Sequence, residues 1–101
     1  MEARTAAQLA KIDRLLGKML GIHPGVDLFV LPETAVTGYD RERWEQIAEP
    51  LPGRISDHFC RKTQELGKWI CPGSIVEKDD AAGGMRNTCL LISPAWVRWG
   101  S

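Results

Sequence analysis

The sequence predicts an α/β fold. Three observations carry that reading: a helical apolar pattern over residues 6–20, a short apolar run at 26–31, and a second helical pattern over 55–66. Strand-forming segments at 69–76 and 87–93 complete the expected order, so helices alternate with buried strands and then give way to a hairpin.

Each element has its own warrant. Thr5-Ala6-Ala7-Gln8 fits a capping box ahead of the first helix. Leu9, Ile12, Leu16, Met19 and Leu20 then recur at three and four residues, while Lys11, Asp13, Arg14 and Lys18 fall largely on the other side. Gly21 suits a helix end, and Pro24-Gly25 a turn. The run Val26-Asp27-Leu28-Phe29-Val30-Leu31 has five apolar residues without alternation, the pattern of a strand buried on both faces. Pro32, with no N–H to donate, stops the ladder, and Glu33 follows at once.

Further on, Asp40 to Ala48 reads as a short helix capped by Asp40, and Glu49-Pro50-Leu51-Pro52-Gly53 as a loop. The second helix shows Ile55, Phe59, Thr63 and Leu66 on one face, Ser56 or Asp57 as its cap, and Gly67 at its close. Trp69-Ile70-Cys71 starts a strand, Pro72-Gly73 marks a kink or close backbone approach within it, and Ser74 to Val76 resumes it. Lys78 to Gly84 is the hairpin loop and Asn87 to Ile92 the return strand.

Composition bounds the function. The chain has 101 residues, enough for one domain, with 44% hydrophobic and 26% charged residues. Thirteen basic and thirteen acidic residues balance, which argues against a nucleic-acid or anionic-membrane partner. No apolar run approaches a membrane span, and the N-terminus has no signal-peptide core. Cys60, Cys71 and Cys89 lack C-x-x-C spacing and are read as reduced thiols of a cytoplasmic protein.

Glu33 is the candidate catalytic residue. Ligands of open α/β sheets bind at the carboxyl ends of the strands. A carboxylate there, backed by low-dielectric surroundings, has its pKa raised toward that of a general base. The alternative is that Glu33 simply begins a solvated loop or helix.

Val30-Leu31-Pro32-Glu33 with Thr37-Gly38-Tyr39 resembles the first catalytic motif of the carbon–nitrogen hydrolase (nitrilase/amidase) superfamily. Gly73-Ser74-Ile75-Val76-Glu77-Lys78, a polar gap and Asn87-Thr88-Cys89-Leu90-Leu91-Ile92-Ser93-Pro94 resemble its next two strands in the same order. The resemblance covers roughly residues 6–94. It implies part of an α-β-β-α sandwich, one helix layer and part of one sheet. It also implies hydrolysis of non-peptide carbon–nitrogen bonds in small amides or nitriles. Relatives often pair, so a homo-oligomer is one expectation of the resemblance.

Family members use a glutamate base, a lysine that stabilises the tetrahedral intermediate and a cysteine nucleophile. Of these only the glutamate maps, onto Glu33. Trp96 to Ser101 does not match the lysine segment, the cysteine motif has no counterpart, and the usual first strand before Thr5 is lacking. None of the local cysteines is a convincing substitute. Cys89 lies in a strand read as buried, Cys71 has no nearby histidine, and Cys60 sits two helical positions from His58 and so points elsewhere. Lys62 and Lys68 are cations outside the family's lysine motif. No cofactor or metal is expected, since His23 and His58 are isolated and Asp79-Asp80 reads as a solvated loop.

Two readings follow: an amidase-like or nitrilase-like hydrolase of which this is the N-terminal part, or a non-catalytic remnant or packing subunit. Both carry the expectation that the domain is cut short after about residue 94, with exposed sheet edges and marginal stability as consequences. Coding DNA beyond Ser101, read in all three frames, is then expected to encode a Tyr-Arg-Lys-like segment and a cysteine motif. Unrelated sequence in every frame would refute that expectation.

Overall fold

A computed structural model of the chain describes residues 3–32, 35, 36, 38, 47–79 and 84–94. The architecture is mixed α/β, with two helices and two small sheets among these residues. Helix α1 spans Ala3–Ile22, strand β1 Leu28–Val30, helix α2 Arg54–Leu66, strand β2 Trp69–Cys71, strand β3 Ser74–Asp79 and strand β4 Gly84–Cys89. β1 and β2 pair in parallel, Leu28 with Trp69, Phe29 with Ile70 and Val30 with Cys71. β3 and β4 pair antiparallel from Ser74–Cys89 to Asp79–Gly84.

α1 starts earlier than its expected cap. Thr5 lies inside the helix and is buried, and the Gln8 side chain donates to the Ala35 carbonyl. The apolar face forms at Leu9, Ile12 and Leu16, all buried, whereas Met19, expected on the same face, is exposed and Leu20 only partly buried. The helix runs one residue past Gly21, and the His23 N–H still donates to the Met19 carbonyl at 2.8 Å before Pro24-Gly25 turns the chain.

α2 is capped from outside its own first turn. Gly53 occupies the N-cap position, so neither Ser56 nor Asp57 does. The Gly53 N–H donates to Ser56 Oγ at 2.8 Å, and the Ile55 N–H donates to Glu49 Oε1 at 2.9 Å. A carboxylate on the first-turn amides also meets the positive end of the helix dipole. At the other end Gly67 takes φ +69°, and the N–H groups of Gly67 and Lys68 both donate to the Thr63 carbonyl. The expected helix over Asp40 to Ala48 falls mostly outside the described residues.

The core joins Leu9, Ile12 and Leu16 of α1, Phe29 of β1, Ile55 and Phe59 of α2, Ile70 of β2 and Ile75 of β3, with Val36, Leu90 and Ile92. His58 Nε2 lies 2.9 Å from Asp13 Oδ1, tying α2 to α1.

Two strand expectations are corrected. β1 is not buried on both faces: Phe29 is inside, whereas Leu28 is 43% and Val30 67% exposed. Only one side of this strand is covered by the described residues, and the other borders an open groove of about 330 Å³ lined by residues including Leu15, Met19, Leu28 and Val30. The return strand likewise begins at Gly84 rather than Asn87 and leaves β3 at Cys89. Beyond it only Ile92 pairs, exchanging backbone hydrogen bonds with Ile70 at 2.9 and 3.0 Å. Its apolar run alternates, with Leu90 and Ile92 buried and Cys89 and Leu91 exposed, so one face of this segment looks outward.

Glu49→Ala removes the acceptor for the Ile55 N–H and is expected to cost about 1–2 kcal/mol in urea-induced unfolding. No change in the unfolding midpoint would show that the Glu49 cap does not contribute.

Candidate functional site

The strand that leads to Glu33 is fixed by backbone contacts. The Trp69 N–H donates to the Asp27 carbonyl at 3.0 Å and the Leu31 N–H to the Cys71 carbonyl at 2.9 Å, extending the β1–β2 ladder at both ends. Immediately after Cys71 the chain kinks, and Gly73 adopts φ +79°. A Cβ on Gly73 would stand 2.3 Å from the Pro32 carbonyl oxygen and 3.2 Å from that of Leu31. The close approach expected at Pro72-Gly73 is therefore a contact between the two sequence motifs, and only glycine suits both the torsion and the gap.

The same kink inserts a residue. The Ile70–Ile92 and Ser74–Cys89 pairs leave residues 71–73 opposite residues 90–91, one more on the first strand than on the second. Such a bulge bends the strand and re-aims its neighbours. Here it turns β3 away from β2 and places the glycine beneath the Pro32 corner.

A side chain holds the corner from the other side. Gln8 Nε2 donates to the Ala35 carbonyl at 2.8 Å, linking α1 to the loop that follows the motif. This role was not foreseen from the sequence, although a signal was present: position 8 lies three residues from Thr5 and four from Ile12, on the buried stripe. A polar group on such a stripe needs a partner. Val36, next in the loop, is buried in the core. Glu33, Thr37 and Tyr39 themselves lie outside the described residues, as do Asp80 and Trp96 to Ser101.

The motif around Thr88 is likewise engaged. Thr88 Oγ1 donates to Glu77 Oε1 at 2.8 Å across the β3–β4 hairpin. Residue 49 bridges alongside residue 77, with the Glu49 N–H donating to the Val76 carbonyl and the Lys78 N–H to that of Glu49. Glu77 and Thr88 are thus structural partners that sequence reading left unassigned.

The remaining candidates separate. His58 is paired with Asp13, not with Cys60. Burial pushes the Cys60 thiol above its usual range, the Asp57 charge adds to this, and Arg61 opposes it. Cys60 is therefore held in the unreactive thiol form. Lys62 Nζ lies 3.3 Å from Glu65 Oε2, and Lys68 Nζ donates to the Pro24 carbonyl at 3.4 Å. Cys89, expected to be buried, is exposed at the end of β4, and its Sγ lies 3.9 Å from that of Cys71. Among the described residues no three His, Cys, Asp or Glu side chains gather as metal ligands, and no helix is long and apolar enough to cross a membrane.

The carbon–nitrogen hydrolase family model matches residues 2–95, nearly the whole chain. The chain belongs to the carbon–nitrogen hydrolase family. Among curated relatives, a formamidase of Bacillus cereus (strain G9842) is 28% identical over 92 residues, covering 86% of this chain and 26% of the relative. A formamidase of Bacillus thuringiensis (strain Al Hakam) is 27% identical with the same coverage. The solved structure of Saccharomyces cerevisiae Nit3, of the nitrilase superfamily, superposes with a TM-score of 0.80 at 18% identity. That match covers 92% of this chain and 36% of Nit3, and it shows the partial nitrilase fold. A CN-hydrolase superfamily protein of Xanthomonas campestris matches with a TM-score of 0.64 at 27% identity, over 84% of this chain and 31% of its own. The chain thus spans about a quarter of the formamidases and about a third of these solved structures.

Gly73→Ala is expected to cost about 2–4 kcal/mol, because the torsion is strained and the methyl meets the Pro32 carbonyl. Gly25→Ala, with nothing within 4 Å, serves as the control and is expected to change stability by under about 0.5 kcal/mol. Equal melting of the two variants would show that the Gly73–Pro32 contact does not hold the corner.

Proposed function

We propose that residues 1–101 supply the general-base part of a hydrolase of small amides or nitriles, with Glu33 as the base. The observation that supports this reading is the seating of Pro32 on Gly73. It joins the two family motifs and holds Pro32, the residue before Glu33 in sequence, just past the carboxyl end of a parallel strand pair. A carboxylate in that role takes the proton from the attacking thiol, and donors opposite it hold the developing oxyanion. Within residues 1–101 only this one of the family's three groups has a matching position, and the lysine and cysteine have none.

The formamidase relatives favour a short aliphatic amide as substrate class. The second reading, a chain that serves by packing on other protein, draws on the exposed apolar row of Leu28, Val30 and Trp69. Under it, Glu33 has no chemical role.

Purified residues 1–101 are expected to release no ammonia from formamide above background, and Glu33→Gln to leave that unchanged. Joined to the downstream portion of a formamidase, the same substitution is expected to lower kcat/KM by about 10²–10⁴-fold, the usual contribution of a general base. A joined enzyme that is active and indifferent to Glu33→Gln would remove Glu33 from the role and leave the packing reading. Thiol-dependent amide hydrolysis by residues 1–101 alone, abolished by Glu33→Gln, would place a nucleophile inside them.

A further inference from the structure

We propose that Cys71 and Cys89 form a reversible redox pair that closes into a disulfide across the bulge. The observation is geometric. Their sulfurs stand 3.9 Å apart although the residues are eighteen positions apart in sequence. Backbone pairing fixes both sides of the site: Ile70 bonds to Ile92 just before Cys71, and Ser74 pairs with Cys89 itself. A disulfide needs about 2.05 Å between sulfurs, so closure has to draw the two Sγ atoms together from 3.9 Å. Cys89 is exposed and Cys71 half-buried, so an oxidant has access to the first and the second stands behind it.

The oxidant class is a low-molecular-weight disulfide. The Cys89 thiolate attacks one of its sulfurs, forming a mixed disulfide and expelling one thiolate. The Cys71 thiolate then attacks Cys89 Sγ, forming the Cys71–Cys89 bond and expelling the second. The two protein thiols are oxidised by two electrons, the small disulfide is reduced to two thiols, and the two protons end on those thiols. Cys60, raised in pKa by burial, stays outside the reaction. The Cys71 carbonyl accepts the Leu31 N–H, so the closed bond would tie β4 to the residue that anchors the Pro32 corner. This inference stands on the cysteine geometry and does not depend on the hydrolase reading.

The test equilibrates the native chain with oxidised and reduced glutathione, quenches with acid and reads intact mass and non-reducing peptide maps. The expected product is a species lighter by about 2 Da with a Cys71–Cys89 cross-link, restored to the dithiol by excess reductant. It is expected at a glutathione disulfide-to-thiol ratio at least about tenfold lower than in 8 M urea, where the fold no longer juxtaposes the thiols. Cys71→Ser should accumulate a mixed disulfide on Cys89, and Cys89→Ser should form no intramolecular cross-link. Glutathione mixed disulfides on the unmutated chain without the cross-link, an intermolecular cross-link, or equal ratios with and without urea would each overturn the proposal. The wild-type readout needs no substitution, so a variant that fails to fold does not rescue the idea.

Discussion

The contact of Gly73 with the Pro32 carbonyl is the constraint on which the arrangement depends. With no side chain at residue 73, two backbones approach more closely than any Cβ permits, and the positive φ turns β3 out of line with β2. Three consequences share this one cause. The β1–β2 ladder ends on the Leu31–Cys71 hydrogen bond, the hairpin swings onto its own sheet, and residues 71–73 face a shorter partner segment. Pro32, the last described residue before Glu33, is held by this backbone geometry rather than by side-chain packing.

Supports on the two flanks of the corner differ in kind. On one side the β1–β2 ladder and the core residues Phe29 and Ile70 hold it, a mixture of backbone bonds and apolar burial. On the other, Gln8 reaches from α1 to Ala35 with a single neutral hydrogen bond, worth on the order of 1 kcal/mol. The next residue, Val36, adds apolar burial to that bond. Positional control of the loop thus combines a weak directional contact with a stronger non-directional one.

Much of this was legible in the sequence, and the reasons are local. Helical periodicity marked the buried faces of both helices, Gly67 marked the end of α2, and Pro72-Gly73 marked the kink, because torsional and periodic demands show in residue type. What escaped reading was non-local or a matter of phase. Gln8 looked like half of a capping box, yet its partner lies 27 residues away. Glu49 looked like a loop residue, yet it caps a helix that starts five residues later. The apolar run of β1 looked buried on both faces and the strand holding Cys89 looked buried, although in each only alternate residues are covered. The site was legible only as a motif: its two halves could be named, but not the glycine-to-carbonyl contact that joins them.

The spacing of the strand pairs imposes an order on their assembly. β3 and β4 meet across the four residues between Asp79 and Gly84, whereas β1 and β2 pair residues forty-one positions apart, Leu28 with Trp69. Ring closure over the longer span costs more entropy, and no local hydrogen bond repays it before α2 has shortened the path. The hairpin and the two helices can each arise from neighbours in sequence, but the parallel pair must wait for them. The Pro32 corner, seated on that pair, is therefore assembled late, and anything that delays docking of α2 delays the corner with it.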